Sequence, residues 1–410
     1  MTNAVHPLTT ADASSAANAA LTWLRRWPWW LSVTAIFVIS RVVTTSILLA
    51  FAAAQAPTAW ADAQPDYFSF ATMWDANWYY IISVVGYPSE LPVTADGHIG
   101  ESAWAFMPVY PMLLAALGWA TGLPFAVLAV SVSVVFGLGA ALMFYRLMNL
   151  VLPAGTALFS VVLFCFAPLS PLLQLAYAES LHMFLLVIAL YLLVKRQYWM
   201  LAPVLAVASL TRPSGLAFAL ALLLHVIYRW AVRARDPFPV AERVASVSVA
   251  VFSGVMGLVW PITAWIVTGS LTAYTDTELA WRAPYVGYGE LIPFAPWIQG
   301  ANWWIPKPFG PILLVLTIGL FVCFMFSPWV KRLGVDLRLW VASYVLYLLA
   351  VFFPQSSTFR LLIPVFPLLG ALAVPRSLLY RTLLVAAFIA GQVGWIYIAW
   401  WVDGYDWTPP

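Results

Sequence analysis

Apolar runs of about 20 residues recur along nearly the whole chain with short polar breaks between them, and each is long enough to cross a hydrocarbon core of about 30 Å as a helix. Lipid offers backbone amides no partner of its own, so helices rather than irregular chain must do the crossing. The short alternating segments of an outer-membrane barrel are absent from the sequence. The pattern predicts an all-α polytopic membrane protein with about 11 transmembrane helices (10–12) and interfacial helices in its first external loop.

Taken in order, residues 1–20 are small and polar and Arg25 and Arg26 precede the first span, so 1–28 read as a disordered cytoplasmic tail. A main transmembrane module is expected over 29–268, with an external loop at 55–103. A second, lid-like external loop follows at 269–308, and C-terminal transmembrane helices at 309–410. Within the first loop, 67–85 is apolar and aromatic enough to lie along the membrane surface. The next piece, 103–121, contains Pro108 and Pro111 and reads as either a second interfacial helix or a short crossing.

Charge separates these alternatives. If 103–121 does not cross, spans follow near 123–145, 154–171, 174–194, 198–213, 214–230, 245–268, 309–327, 338–353, 361–374 and 380–402. Of the nineteen basic residues, only Arg41, Arg212, Arg282, Lys307 and Arg360 then fall off the cytoplasmic side, while among the acids only Asp12, Asp236, Glu242 and Asp336 fall on it. A crossing at 103–121 would invert everything after it and break the positive-inside rule, so the C-terminus is expected outside.

Composition supports this class. The chain is 63% hydrophobic and 9% charged, too little polar surface to enclose a water-soluble globule. Cys165 and Cys323 both lie in apolar runs, which reads as small buried hydrophobes rather than a disulfide framework. Nucleotide-binding fingerprints, metalloprotease motifs and nucleic-acid surfaces are all missing from the sequence.

Candidate chemistry gathers in the external stretches. The first loop carries Asp62, Asp66, Asp75, Glu90, Asp96 and Glu101 without a lysine or arginine. An arginine inside a span costs at least about 2.5 kcal/mol, so Arg41, Arg212 and Arg360 are expected to face a wet cavity or a partner. The loop at 269–308, with Tyr274, Asp276, Glu278, Trp281 and Arg282, reads equally as a lid over an outer cavity or as an aromatic belt on the interface. His98 and His225 read as structural, and no metal-ligand cluster is expected.

Four outward stretches stand out: Trp74-Asp75-Ala76-Asn77-Trp78-Tyr79-Tyr80 with Gly86-Tyr87-Pro88; Ala105-Phe106-Met107-Pro108-Val109-Tyr110-Pro111; Ala176-Tyr177-Ala178-Glu179-Ser180-Leu181; and Thr211-Arg212-Pro213-Ser214-Gly215. In this order they resemble the GPI second-mannose transferase family, the PIG-V type, in its bacterial form. Ser40-Arg41 and Arg360 with Pro364-Val365-Phe366-Pro367 fit the same pattern more loosely. The resemblance covers roughly 37–217 well and the C-terminal half thinly. His182 after Glu-Ser-Leu and Pro213 after the arginine depart from the family pattern.

The resemblance implies a GT-C fold and an inverting mannosyltransferase in the bacterial plasma membrane, with its active site facing outside. The donor would be polyprenyl-phosphate mannose and the acceptor a lipid-linked glycan, with no cofactor. Asp75 matches the family's first-loop acid. The chemistry agrees with it: a phosphodiester leaving group needs neutralising rather than protonating, so one carboxylate suffices as base. Arg212 and Arg360 are the expected phosphate ligands, with Arg41 a further candidate. Trp74, Asn77, Trp78, Tyr79, Tyr80, Tyr110, Tyr177, Glu179 and His182 are the expected sugar or acceptor contacts, Glu179 reading best as a partner for an arginine. The competing readings are a lipid flippase, which calls for an internal repeat symmetry not found in the sequence, and a GT-C transferase of another sugar.

Overall fold

A computed structural model describes residues 27–58 and 61–402. The expected tail over 1–28, apart from Trp27 and Pro28, lies outside the described residues. The described chain is all-helical, with only an isolated bridge between Val93 and Ile99 in extended conformation.

The helices are α1 Trp29–Ala54, α2 Tyr67–Ala71, α3 Asp75–Val85, α4 Val109–Thr121, α5 Phe125–Val151, α6 Ala154–Phe166, α7 Glu179–Val194, α8 Tyr198–Ser209, α9 Gly215–Ala231 and α10 Val240–Thr268. They continue with α11 Ala273–Ala280, α12 Ala283–Val286, α13 Ala295–Trp304, α14 Phe309–Met325, α15 Pro328–Lys331, α16 Gly334–Val351, α17 Thr358–Leu361, α18 Leu368–Leu372 and α19 Leu378–Trp395. Five helical stretches are long and apolar enough to cross a membrane: Trp29–Ala54, Phe125–Met148, Val240–Thr268, Gly334–Val351 and Leu378–Trp400. The chain is a multi-pass membrane protein.

Several of the remaining apolar helices are shorter than the expected spans, and the shortening is local. The span expected at 174–194 begins as helix only at Glu179, after a 3-10 turn at Ser170–Leu173. That expected at 198–213 stops at Ser209, before Pro213, whose ring and missing N–H oppose further helix. At about 1.5 Å per residue, the 12 residues of α8 reach about 18 Å, well short of a hydrocarbon core. The helix expected at 361–374 does not form as one piece. Pro364 and Pro367 divide it into α17, a 3-10 turn at Ile363–Val365, and α18.

In the loop expected at 55–103, the helix expected over 67–85 is split at Thr72–Trp74 into α2 and α3. Asp66 caps α2 by accepting the Ser69 amide at 2.7 Å, and that hydrogen bond holds its carboxyl below the usual carboxylate range. The main apolar core lies between α5, α6, α7, α9 and α16, around Phe144, Leu186, Phe218 and Trp340. At its N-terminal end α9 meets α10 backbone to backbone at Gly215 and Gly257. A Cβ on Gly215 would stand 2.8 Å from the Gly257 Cα, so neither position has room for a side chain.

Candidate active site

The short helices end where the charges meet. Asp75 is the first residue of α3 and Glu179 the first of α7, so both carboxylates sit at helix N-termini, which favour negative charge. Arg212 comes from the turn between α8 and α9, and Arg360 from α17. Trp74 sets the entry to α3. Its backbone lies at φ 61°, a region costly for a non-glycine residue. Two bonds through Trp400 hold this stretch: the Trp74 indole donates to the Trp400 carbonyl at 2.9 Å, and the Trp400 indole to the Phe70 carbonyl at 3.0 Å.

Arg360 Nη1 pairs with Asp75 Oδ2, and Arg212 Nη2 with Glu179 Oε1. Arg360 Nε lies 3.4 Å from Glu179 Oε1 and joins the pairs into one quartet whose formal charges cancel. Tyr177 supports it from behind. Its hydroxyl accepts the Asp75 backbone N–H at 3.2 Å, and the Arg360 guanidinium lies 5.1 Å from its ring centre.

All four charged groups line one cavity of about 450 Å³. Phe106, Met107 and Trp260 contribute to its walls, as do Tyr344 and Tyr347 of α16 and Tyr274, Glu278 and Trp281 at α11. The cavity is unusual in what it leaves unsatisfied. Buried polar atoms without a hydrogen-bond partner include Glu179 Oε2, His182 Nδ1, Ser209 Oγ, Trp281 Nε1, Gln355 Oε1 and Arg360 Nε, and all six residues line it. Such groups cost roughly 1–3 kcal/mol each when left dry, so the wall is built for water or a many-hydroxylated ligand.

A second cavity of about 570 Å³ adjoins the first, sharing Glu179, Met183 and Ile363 with it. Elsewhere its lining is almost wholly apolar, from Phe164 and Leu169 through Phe366 and Leu369 to Phe388, Trp395 and Ile398.

Of the residues expected from sequence, Asp75, Glu179, His182, Arg212 and Arg360 come together on the cavity wall. Tyr177 stands one layer behind, as does Trp78, stacked on Phe106 with centroids 5.6 Å apart. The others lie elsewhere. Trp74 is buried against Trp400, and Asn77 donates to the Trp74 carbonyl at 3.3 Å. Tyr79 is packed among Phe106, Tyr110 and Tyr177, and Tyr80 is exposed beside Phe125. Tyr110 is buried and donates to the Ala129 carbonyl at 3.2 Å.

Arg41 is the clearest correction. Its guanidinium is used by the Ser170 carbonyl at 2.7 Å, the Cys165 carbonyl at 2.9 Å and Gln174 Oε1 at 3.1 Å, and it does not reach the cavity. Those carbonyls lie at and just after the end of α6, where a helix runs out of its own donors. Sequence reading missed Glu278 and Trp281 as site residues, although it singled out the loop that carries them.

No protein-family model matches the chain, and no curated protein matches it. Among solved structures, the archaeal oligosaccharyltransferase AglB from Archaeoglobus fulgidus, in complex with an inhibitory peptide and a dolichol-phosphate, aligns with 92% of this chain and 50% of its own at 14% identity and a TM-score of 0.38. The Archaeoglobus fulgidus oligosaccharyltransferase in complex with Zn and sulfate aligns with 88% and 49%, at 14% identity and a TM-score of 0.36. The chain thus spans about half the length of these proteins. At that identity and score the likeness assigns no activity to this chain.

Among the described residues no group of three or more His, Cys, Asp or Glu is placed to hold a metal ion. What the geometry provides is a carboxylate, two guanidiniums able to receive an anion, and a polar wall, beside an apolar chamber.

Proposed function

We propose that the chain is a GT-C-type glycosyltransferase of the bacterial plasma membrane. It moves mannose from polyprenyl-phosphate mannose to a lipid-linked glycan on the extracytoplasmic side, inverting the anomeric centre. The choice of mannose rests on the resemblance of the motifs to the PIG-V type. The single observation that carries the reading is the quartet of Asp75, Arg360, Glu179 and Arg212 on a polar cavity that adjoins an apolar one.

The steps follow from charge. With the quartet neutral, a donor phosphodiester brings one negative charge and competes with Asp75 for Arg360, while its lipid tail occupies the apolar chamber. Guanidinium forks suit phosphate oxygens, and Arg212 stays within reach beside Glu179. Released from its partner, Asp75 accepts the proton of the acceptor hydroxyl as that oxygen bonds to the anomeric carbon. The carbon–oxygen bond to phosphate breaks with its electron pair, leaving polyprenyl phosphate held by the arginines. The products are the new glycoside, the lipid phosphate and a proton on Asp75.

The test is transfer by detergent-solubilised protein given radiolabelled polyprenyl-phosphate mannose and a membrane lipid extract. A shifted, labelled glycolipid is expected. Donor movement between leaflets of a vesicle without product would favour the flippase. Asp75→Asn should stay folded and lose about 10²–10⁴-fold in rate, the usual weight of a general base. Near-normal turnover by that variant rejects the base assignment.

A further inference from the structure

The cavity holds three carboxylates, and they are not equivalent. Asp75 and Glu179 are each held by an arginine, whereas among the described residues Glu278 forms no ion pair. It sits on α11 in the outer segment, one turn after Tyr274 and close enough to Arg212 and Asp75 to feel both charges. Its side chain is exposed toward the cavity, and the protein packed around it raises its carboxyl to about 7 despite the Tyr274 hydroxyl, Arg212 and Arg282. One turn further on, the Trp281 indole N–H is a buried donor without a partner, in the same cavity wall. A carboxylate bonded by the Tyr274 hydroxyl, with acceptor sites to spare, and an N–H donor without a partner thus stand one helical turn apart in the same wall.

The pair does not suit the donor's phosphate: the Glu278 carboxylate repels it, and the arginines that would receive it lie in the quartet. Both suit a neutral sugar, whose hydroxyls donate to a carboxylate and accept from an indole. On the sugar-transfer reading, we infer that Glu278 and the Trp281 N–H form the acceptor subsite, gripping a sugar hydroxyl pair so that the attacking oxygen faces Asp75. Glu278 acts there as a positioning group in its ionised form, and α11 is the element that selects the acceptor.

The measurement is initial rate with the same membrane extract serially diluted as acceptor, at fixed polyprenyl-phosphate mannose, and then the converse. Glu278→Ala should raise the apparent KM for the extract about 10-fold or more, the weight of a charge-assisted hydrogen bond, with donor KM moving by less than about twofold. Trp281→Phe, which removes only the N–H and part of the ring, should move KM in the same direction by less. In the wild type, kcat/KM for the acceptor should rise with pH as Glu278 ionises around 7. The near-isosteric Glu278→Gln, readable even if the alanine variant does not fold, should lack that rise. Donor and acceptor KM rising together, or a pH rise that survives in Glu278→Gln, overturns the acceptor role alone. A wild type that makes no product from this donor overturns the sugar-transfer reading, and the subsite with it.

Discussion

The bundle carries an ion cluster at each end, and they are built on opposite principles. At the end away from the cavity, His225 of α9 bridges Asp336 at 2.7 Å and the Tyr198 hydroxyl at 2.8 Å. Tyr198 in turn donates to Glu242 at 3.0 Å, and Arg229 pairs with Glu242 at 3.0 Å and with Asp236, which also receives Arg196. The network ties α8, α9, α10 and α16 together, and of its side-chain atoms only Arg229 Nε is buried without a partner. None of these residues lines either cavity. The quartet at the other end has similar chemistry but opens on a cavity with six lining atoms unsatisfied. A closed network spends its polarity on holding helices, whereas an open one keeps polarity in reserve for something that arrives.

The matched arginines break this comparison most sharply. Arg360→Ala should cost about 10²–10³-fold in transfer, through weakened donor binding and loss of charge stabilisation at the leaving phosphate. Its effect on the melting temperature should be small, because water in the cavity can hydrate the freed Asp75. Arg229→Ala should do the reverse. Asp236 and Glu242 keep side-chain exposures of 42% and 16%, so the loss is the guanidinium's hydrogen bonds, about 1–3 kcal/mol; melting falls while turnover per folded molecule stays near wild type. Equal damage to both properties in both variants would mean that the two clusters do not differ in kind.

Arg41 tests the comparison from the middle of the first helix. Arg41→Ala leaves the end of α6 with unpaired carbonyls, each worth about 1–3 kcal/mol, and should lower stability without moving donor KM. A selective rise in donor KM would restore it as a phosphate ligand.

Legibility in the sequence followed how local each feature is. Apolar runs and the basic-residue bias are visible within windows of tens of residues, so the helical membrane class and most helix positions could be read directly. Runs read as continuous helix broke where local chemistry opposed it: 361–374 carries Pro364 and Pro367, and its average apolarity outweighed two local breakers. Site residues were legible as a set and not as pairs. Asp75 and Arg360 lie 285 positions apart, and nothing in either neighbourhood names the other. Arg41 was read correctly as needing a partner, but backbone carbonyls leave no mark in a sequence. Glu278 and Trp281 sat in a loop that read equally as lid or belt, and only a cavity separates the two.

The smallest expected effects come from a matched pair of hydroxyls, and they discriminate best because each substitution removes one atom. Tyr198→Phe deletes the oxygen between His225 and Glu242, and Tyr177→Phe deletes the oxygen that accepts the Asp75 amide. Each should cost about 1 kcal/mol of stability, the net worth of an ordinary buried hydrogen bond. Only Tyr177→Phe should also slow transfer, because that amide begins α3 and fixes where the Asp75 carboxylate stands, and small displacements of a base are felt in rate. If Tyr198→Phe slows turnover by the same factor, the inner network is coupled to the cavity through α8 and α9, and the division between a closed staple and an open site fails.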